Sequence, residues 1–455
     1  MYFPTLRNNI IIIMRHRQPL YDLINVLIVG SGGREHALGW KLSQNGHMKK
    51  IFYAPGNAGT LQNVKIQTSE IDKLKIFAKE NHCFTIVGPE DPLANGIVDS
   101  FLESELEIFG PTKSAALLES SKGFAKKFMH ENGIPTPSFQ IFSDAEKAKD
   151  HVTKQKNDLV IKADGLASGK GVVICNNSAQ AVDAIDNIME KKQFGRSGDS
   201  IVIEEKLSGE ECSFIVICDG KTIIPLSSSQ DHKRIFDNDK GPNTGGMGSF
   251  SPTPLVDEDL YDTIMKQIMC PVVKGMKERG NLFKGFLYAG IMVEQQTKKP
   301  YVLEFNARMG DPECQSILMR MESDLFKYLE SASHEKLDSM PPIEWKNKFA
   351  VCVTMASRGY PGRYVQGHPI KGLNYNFGND VMVFHSGTQL DMKNRIVNSG
   401  GRVLGVTALG CNIRMTIHNA YSAVQRISWG RNEHYYRKDI AMRYSNVNKQ
   451  ACCFP

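Results

Sequence analysis

The stretch DLVIKADGLASGKGVVIC, residues 158–175, indicates the fold of this chain more clearly than any other. Two short runs rich in β-branched residues flank a loop that contains Gly165, Gly169 and Gly171. Glycine lets a backbone approach a ligand closely, and successive N–H groups in such a loop bind phosphate oxygens. The pattern predicts a glycine-rich loop between two strands that closes over a nucleotide. An ordinary glycine hairpin is the alternative.

The same stretch differs from the P-loop pattern GxxxxGK[ST], which is followed by a helix. Gly165 and Gly169 lie one residue too close, Gly171 replaces the hydroxyl residue, and the next element is a predicted strand. Lys162 ends the first run and Lys170 lies in the loop, so both are candidate phosphate-binding cations.

The composition is typical of a globular protein of about three domains of ~150 residues. Hydrophobic residues make up 41% and charged residues 23% of the 455 residues. The net charge of +6 suits anionic small molecules, but no block of lysine and arginine indicates a nucleic-acid partner. The 10 cysteines form no CxxC pair, which favours a reducing, cytoplasmic location over a zinc or disulfide protein. No apolar run approaches the length of a membrane span, so no membrane partner is expected.

The first 24 residues differ from the rest and are predicted to form an extension. Their apolar run, residues 10–14, is too short for a signal peptide, and Arg15 and Arg17 come directly after it. We expect residues 1–24 to be disordered or to result from a misassigned start, and a targeting role is disfavoured.

Residues 25–125 are predicted to form an amino-terminal α/β domain. Short apolar runs that end in glycine or proline (NVLIVG, IFYAPGNAGT, CFTIVGPEDPL and EIFGPT) alternate with helical segments. This alternation predicts a doubly wound parallel sheet, with the ligand crevice at the carboxyl ends of its strands. Those ends carry residues 30–33, 55–59 and 88–90.

Residues 126–335 are predicted to form a second domain, with a lid at about 138–215. It includes a strand–turn–strand, IVIEEKLSGEECSFIVI, and a hairpin formed by GFLYAGIMVE and YVLEFNARMGDPE. Residues 229–252 have few large apolar side chains, so we expect a long loop outside the core that is either functional or disordered. A carboxy-terminal domain is expected over residues 345–443, followed by a loose tail at 444–455.

Glu304 and Asn306 are the candidate metal ligands. They lie two apart on a predicted strand and so share one face, with Glu294 on the partner strand. Such oxygen ligands suit Mg²⁺, which also binds phosphate oxygens. A solvated strand face is the alternative.

Two further groups of polar residues lie at strand ends. Arg308 and Asp311 follow the LEFN strand, where the arginine binds a phosphate or carboxylate, or else pairs with Asp311 within the turn. Glu204, Glu205 and Glu211 flank a turn, where acidic residues accept hydrogen bonds from adenine or ribose, or are simply solvated.

The segment VGSGGREHAL is a partial match to the dinucleotide fingerprint GxGxxG. Gly30 and Gly32 fit, but Glu35 stands at the third position, and no acidic residue ends the second strand. The segment therefore favours a phosphate-binding helix N-terminus over an NAD site.

Together these motifs resemble the ATP-grasp superfamily, through the glycine-rich loop, EEKLSGEE and LEFN. Within it, the ordered set VLIVGSGGREHAL, APGNAGT, TIVGPEDPL, FGPTKSAALLESSK, SQDHKR, GPNTGGMGSFSP and EFNARMGDPE resembles the phosphoribosylamine–glycine ligase family over about residues 25–443. The resemblance implies an α/β fold of three parts. These are the doubly wound parallel sheet, an ATP-grasp α+β core of two subdomains with a mobile lid, and a smaller carboxy-terminal α+β domain.

The resemblance also implies a reaction. ATP phosphorylates the carboxylate of glycine, and the amine of 5-phosphoribosylamine displaces phosphate to give glycinamide ribonucleotide, a step of de novo purine biosynthesis. The expected enzyme is a cytoplasmic monomer that uses ATP with Mg²⁺ or Mn²⁺. Another ATP-grasp carboxylase or peptide ligase, an NAD-dependent dehydrogenase and a nucleotide sensor are the alternatives.

The residues of the implied site fall into four groups. The ATP-binding group is Lys122, Lys162, Gly165, Ser168, Gly169, Lys170, Gly171, Glu204, Glu205, Leu207 and Glu211. The metal ligands are Glu304 and Asn306, with Glu294 as an additional ligand. The catalytic residues around glycine and the phosphoribosyl group are Asp231, Lys233, Arg308 and Asp311. The residues that position phosphoribosylamine are Gly32, Gly33, Pro89 and Glu90.

Overall fold

The computed structural model describes residues 23–167, 169–446, 449–451 and 454. Most of the predicted amino-terminal extension and the candidate ATP-binding Ser168 lie outside these ranges. No helix within them is long and apolar enough to cross a membrane.

The first part of the chain forms a four-stranded parallel sheet in the order β2-β1-β3-β4, the amino-terminal sheet. Its elements are β1 (Ile24–Gly30), α1 (Gly33–Leu42), β2 (Met48–Pro55), α2 (Ile71–Glu80), β3 (Cys83–Val87), α3 (Glu90–Ala94), α4 (Ile97–Leu102), β4 (Ile108–Phe109), α5 (Leu117–Ser120) and α6 (Lys122–Glu131). Val26 and Ile28 of β1 pack on the side of α1, whereas Leu27 and Val29 pack on the side of α2 and α4. Because alternate residues face opposite layers, both faces are buried. The predicted doubly wound parallel sheet is confirmed.

The next part forms an antiparallel sheet in the order β5-β8-β6-β7, the lid sheet. Its elements are β5 (Phe139–Phe142), α7 (Ala145–Thr153), β6 (Leu159–Ala163), β7 (Val172–Cys175), α8 (Ser178–Ile185) and β8 (Ile201–Glu205). Both helices pack on the sheet through one small apolar cluster. The predicted pair of strands around the glycine-rich loop is confirmed, and the loop joins β6 to β7. The lid was predicted at about residues 138–215, and the strands of that range up to Glu205 belong to the lid sheet.

The following part contributes to three sheets, one of which is the two-stranded sheet of β12 and β13. Its elements are β9 (Gly209–Asp219), β10 (Ile223–Pro225), β11 (Gln230–Asp231), β12 (Arg234–Phe236), β13 (Lys240–Asn243), β14 (Gly248–Ser251), α9 (Glu258–Ile264), α10 (Cys270–Glu278), β15 (Lys284–Glu294), β16 (Pro300–Asn306), α11 (Glu313–Arg320) and α12 (Leu325–Ser333). The antiparallel core sheet has the order β10-β9-β15-β16, so the predicted hairpin of β15 and β16 is confirmed. Phe214 and Val216 of β9 face the cluster that contains α9 and α10, and Ile215 and Ile217 face α11 and α12.

The carboxy-terminal part completes a sheet in the order β11-β14-β17-β22-β19, the carboxy-terminal sheet, with β24 also paired to β17. Its elements are β17 (Phe349–Ser357), β18 (Ile370–Lys371), β19 (Val381–His385), β20 (Thr388–Leu390), β21 (Ile396–Asn398), β22 (Arg402–Gly410), α13 (Ile413–Val424), β23 (Ser428–Trp429) and β24 (His434–Tyr435). Helix α13 packs on β17 and β22.

Strand β14 corrects the expectation that residues 229–252 lie outside the core. All four of its residues are buried between β11 and β17. Its small side chains let α11 pack closely, because Ser249 Oγ lies 2.9 Å from both Pro312 O and Ser316 Oγ. A core strand can therefore be built from glycine and serine around one large apolar residue, Phe250, and a search for runs of large apolar residues overlooks it.

The expected loose tail is also corrected in part. Phe454 is 8% exposed and its ring centroid lies 6.4 Å from that of Phe349. The ring centroid of Tyr444 lies 5.3 Å from that of Phe250. Tyr444 and Phe454 thus pack on the carboxy-terminal sheet.

Candidate active site

A cavity of about 890 Å³ lies where the lid sheet, the core sheet and the two terminal sheets meet. The predicted site residues that line it are Gly32, Pro89, Glu90, Lys122, Lys162, Gly169, Lys170, Gly171, Glu204, Glu205, Leu207, Glu211, Asp231, Lys233, Glu304, Asn306, Arg308 and Asp311. Gly33, Gly165 and Glu294 do not line it. Residues from seven separate stretches of sequence thus converge on one cavity.

Two lysines hold Glu204 at the lid end of the cavity. Lys162 Nζ lies 2.9 Å from Glu204 Oε2 and donates to Leu303 O at 3.0 Å. Lys126 Nζ lies 3.1 Å from Glu204 Oε1. Burial lowers the pKa of Lys126 to about 8. Glu204, predicted to meet adenine, is here the acidic centre between two ammonium groups.

The glycine-rich loop is tied to the start of α6. Asp164 Oδ1 accepts from Gly123 N at 2.6 Å, and Lys122 Nζ donates to Gly165 O at 3.3 Å. Ser121 caps the helix by accepting from its third residue. Lys122 therefore begins a capped helix and lies against the loop, while Gly165 itself is not among the residues that line the cavity.

Glu304 and Asn306 both face the cavity from β16, as predicted. Glu304 Oε1 lies 3.8 Å from Lys233 Nζ, and Asn306 Oδ1 accepts from Arg308 Nη2 at 3.1 Å. Burial disfavours the charged form of Glu304, but Lys233 and other nearby ammonium groups outweigh it and hold its pKa below the usual range. An ionised carboxylate beside an amide oxygen provides two oxygen ligands for a hard cation.

Glu294 is not brought to this pair, contrary to the prediction. Gly290 lies opposite Glu304, whereas Glu294 pairs with Gly209. Four residues along a strand correspond to about 13 Å. The Glu294 carboxylate accepts a hydrogen bond from the Thr297 hydroxyl in the turn instead. The sequence placed both residues in one hairpin but did not fix their register.

Arg308 is shared by two carboxylates. Its Nε lies 3.2 Å from Glu90 Oε2, and its Nη2 lies 2.9 Å from Glu119 Oε1. Burial raises the pKa of Glu119 to about 7. Burial opposes ionisation of Glu90 as well, but Arg308 and Arg34 outweigh it and lower its pKa to about 2. One guanidinium thus links the amino-terminal sheet to the turn after β16.

Lys233 and Asp231 also line the cavity. Lys233 Nζ is 2.8 Å from Glu211 Oε2. Burial raises the pKa of Asp231 well above its usual range, and Glu313 adds to this effect. Asp231 Oδ1 has no hydrogen-bond partner among the described residues. This buried oxygen therefore has an unmet capacity to accept a hydrogen bond.

The amino-terminal turn uses its own donors. Gly32 N donates to Glu35 Oε2 at 2.5 Å, and Gly33 N donates to Ser386 Oγ at 2.7 Å. A Cβ atom on Gly88 would lie 2.0 Å from Glu35 Oε1. Glu35, the residue that departs from the dinucleotide fingerprint, fills the place where a pyrophosphate would approach these amides.

Three consecutive family models match the chain. They are the phosphoribosylglycinamide synthetase N domain at residues 24–119, its ATP-grasp (A) domain at 120–314 and its C domain at 350–443. The phosphoribosylamine–glycine ligase of Pseudomonas aeruginosa is 46% identical over 425 residues, which cover 92% of this chain and 98% of that protein. That of Neisseria meningitidis serogroup B is 47% identical over 429 residues, covering 93% and 100%.

The chain belongs to the phosphoribosylamine–glycine ligase family. The Thermotoga maritima phosphoribosylamine–glycine ligase structure has a TM-score of 0.79 and 32% identity, with coverage of 92% of this chain and 100% of that one. A biotin carboxylase domain from Hydrogenobacter thermophilus, in complex with MgADP, has a TM-score of 0.69 at 15% identity and shows the shared fold. The expected three-part ATP-grasp ligase is confirmed.

Lys126, Glu119 and Arg402 are among the residues of this ligase's cavity that the sequence analysis missed. Lys126 lies four residues after Lys122 and so on the same helix face, which is a usable signal. Glu119 precedes the cap of α6, and its role depends on Arg308, far along the chain. Arg402 comes from the carboxy-terminal sheet, and no motif pointed to it.

Proposed function

We propose that this chain joins glycine to 5-phosphoribosylamine through a glycyl phosphate intermediate, with ATP as the phosphoryl donor. A glycine carboxylate oxygen attacks the γ-phosphorus, the bond to the β-phosphate oxygen breaks, and ADP leaves. The amine nitrogen then attacks the carbonyl carbon, inorganic phosphate leaves, and the amine loses a proton. Family membership supports the overall ligation and its place in purine biosynthesis. The single observation that carries the chemistry is the convergence of lysines and an ionised carboxylate in one cavity.

ATP is proposed to lie between the lid sheet and the core sheet. Its phosphates would contact Lys122, Lys162 and the part of the glycine-rich loop that contains Ser168, Gly169, Lys170 and Gly171. Positive charge and backbone amides stabilise the charge on a transferring phosphoryl group. Glu204, Glu205, Leu207 and Glu211 would contact adenine and ribose. The ion pairs of Glu204 support this, because they fix its carboxylate at the cavity wall.

The metal is proposed to bind Glu304 and Asn306. These residues fit Mg²⁺, since one ionised carboxylate and one amide oxygen leave room for phosphate oxygens. Mn²⁺ binds the same oxygen ligands and is the alternative. When bound, the ion would neutralise charge on the phosphates. Lys233, near both Glu211 and Glu304, holds positive charge on the same wall.

Glycine and phosphoribosylamine are proposed to meet between Asp231, Lys233, Arg308 and Asp311. The partnerless oxygen of Asp231 suits the amino group of glycine. Pro89 and Glu90, with the turn at Gly32 and Gly33, would lie around the ribose. The amides of that turn already have partners, so its contribution would be shape rather than phosphate binding.

A closed lid would keep water from the acyl phosphate. We also propose that the enzyme acts as a cytoplasmic monomer. The described cysteines are free thiols, which suits a reducing compartment.

An isotope experiment tests the intermediate. Glycine labelled with ¹⁸O in its carboxylate is turned over with ATP, Mg²⁺ and freshly generated phosphoribosylamine, and the released phosphate is analysed by mass spectrometry. One ¹⁸O atom per phosphate is expected, because the carboxylate oxygen leaves with phosphorus. Unlabelled phosphate contradicts the intermediate. Turnover with bicarbonate in place of glycine would instead indicate a carboxylase.

A further inference from the structure

Arg402, the first residue of β22, extends from the carboxy-terminal sheet into the cavity. Its Nη1 atom donates to the carbonyl oxygens of Gly245 and Gly246, and to that of Asp311 at 2.5 Å. Its Nη2 atom lies 3.5 Å from Asp311 Oδ2. One guanidinium therefore joins three stretches of the chain that are distant in sequence.

The loop around Gly245 and Gly246 has no spare space. A Cβ atom on Gly245 would lie 2.9 Å from Arg402 Cζ, and one on Gly246 would lie 2.7 Å from Asp231 Oδ1. The φ angle of Gly246 is +111°, a region that favours glycine. The loop is thus packed between the guanidinium and the Asp231 carboxylate, so a shift of the first is transmitted to the second.

Tyr360 supports the same arrangement from the carboxy-terminal part. Its hydroxyl accepts a hydrogen bond from Gly245 N at 3.1 Å. A Cβ atom on Gly401 would lie 2.2 Å from the Tyr360 ring, so the ring packs directly on the backbone beside Arg402. Arg402 and Tyr360, the two side chains that bind the backbone of Gly245, therefore both come from the carboxy-terminal sheet and its connections.

The charges of the two carboxylates depend on this guanidinium. Burial would raise the pKa of Asp311, but Arg402, followed by Arg34, outweighs it and holds the pKa below its usual range. Arg402 also opposes the rise in the pKa of Asp231. The arginine thus influences both the place and the ionisation of these groups.

We propose that Arg402 is a positioning residue of the ligation, which holds Asp231 and Asp311 at the separation at which glycine and the amine acceptor meet. The inference rests on the proposed function, since it assumes that these carboxylates surround the two substrates. The carboxy-terminal sheet would then serve the reaction without supplying a group that reacts. A planar guanidinium suits this task because it donates in several fixed directions, which an ammonium does not.

The test compares Arg402→Ala and Arg402→Lys with Arg358→Ala. Arg358 is an exposed arginine of the same part, and it donates to Asn432 O at 3.2 Å away from the cavity. For Arg402→Ala, kcat/KM for glycine and for phosphoribosylamine should each fall on the order of a hundredfold, from lost charged hydrogen bonds and misplacement. The Kd of ATP, measured by calorimetry, should stay within about twofold, because the lid lysines are intact.

Chemical rescue separates positioning from general stability. Guanidinium ion at millimolar concentration should restore part of the rate of Arg402→Ala and leave Arg358→Ala unchanged. Arg402→Lys should remain folded by its melting temperature and still lose on the order of tenfold in kcat/KM.

Two failures are distinguishable. A wild-type enzyme that releases no ADP in response to glycine and phosphoribosylamine overturns the proposed function. An active wild type with an unimpaired Arg402→Ala variant overturns the inference alone. An equal loss of ATP affinity and catalytic efficiency overturns it too, since it would indicate general damage. If Arg402→Ala does not fold, full activity of Arg402→Lys decides against the inference.

Discussion

Glu119 is expected to titrate near neutral pH although it forms an ion pair. Burial raises its pKa from 4.5 to about 7, while Arg308, 2.9 Å away, is shared with Glu90. At about 1.4 kcal/mol per pKa unit, this difference corresponds to about 3 kcal/mol. The folded protein binds more protons than the unfolded chain between pH 4.5 and 7. The contribution of Glu119 to stability therefore falls as the pH rises through this window.

Replacing Glu119 by glutamine should remove this dependence. The free energy of unfolding of Glu119→Gln, relative to wild type, should rise by about 3 kcal/mol between pH 4.5 and pH 8, as measured by urea titration. Carboxyl ¹³C NMR of glutamate-labelled protein should show a signal that titrates near 7 and is absent from the variant. The matched control is Glu90→Gln, whose carboxylate binds the same guanidinium with a pKa of about 2. Its stability relative to wild type should be constant between pH 6 and pH 8.

The reasoning is refuted if the Glu119 signal titrates below 4.5. The ion pair with Arg308 would then outweigh burial, and the two carboxylates would share the arginine equally. The same conclusion would follow if the free energy of unfolding of Glu119→Gln, relative to wild type, decreased from pH 4.5 to pH 8.

Three further outcomes are expected. Glu304→Ala should lower kcat on the order of a thousandfold in a folded protein, as measured by ADP release. The kcat of Glu294→Ala should stay near that of the wild type in the same assay. Equal losses of kcat in the two variants would restore Glu294 as a metal ligand. Lys126→Met should weaken ATP binding at least about tenfold, measured by calorimetry, because Glu204 loses one of the two lysines that pair with it. An unchanged affinity for ATP would show that Lys126 has only a structural role. Residues 163–172 should exchange amide hydrogens more slowly with ATP and Mg²⁺ than without, and no change on binding would indicate a static hairpin.

The sequence predicted the features that depend on near neighbours. The β-branched runs around the glycine-rich loop specify β6 and β7, and the two-residue spacing of Glu304 and Asn306 specifies that both reach the cavity from β16. Hydrophobic periodicity acts over a few residues, so one stretch contains the whole signal.

The remaining features depend on partners far along the chain. Lys126 meets Glu204, and Arg402 meets Asp311 across 91 residues, so no local pattern marks them. Glu294 was misplaced because the pairing of β15 and β16 contains an irregularity between Gly290 and Ile291, which the sequence does not reveal. Register and long-range ion pairs are properties of the folded chain.

Strand β14 has a consequence for anyone who recombines members of this family. It comes from the middle of the chain, yet it pairs with β17, which begins about a hundred residues later. A chimera joined near residue 345 would require a foreign β17 to pair with a native β14 that never coevolved with it. Strand β9 pairs with β15 in the same way, so the practical unit of exchange is the stretch from β9 onward, and grafts made at the apparent junction should yield aggregates rather than hybrid enzymes.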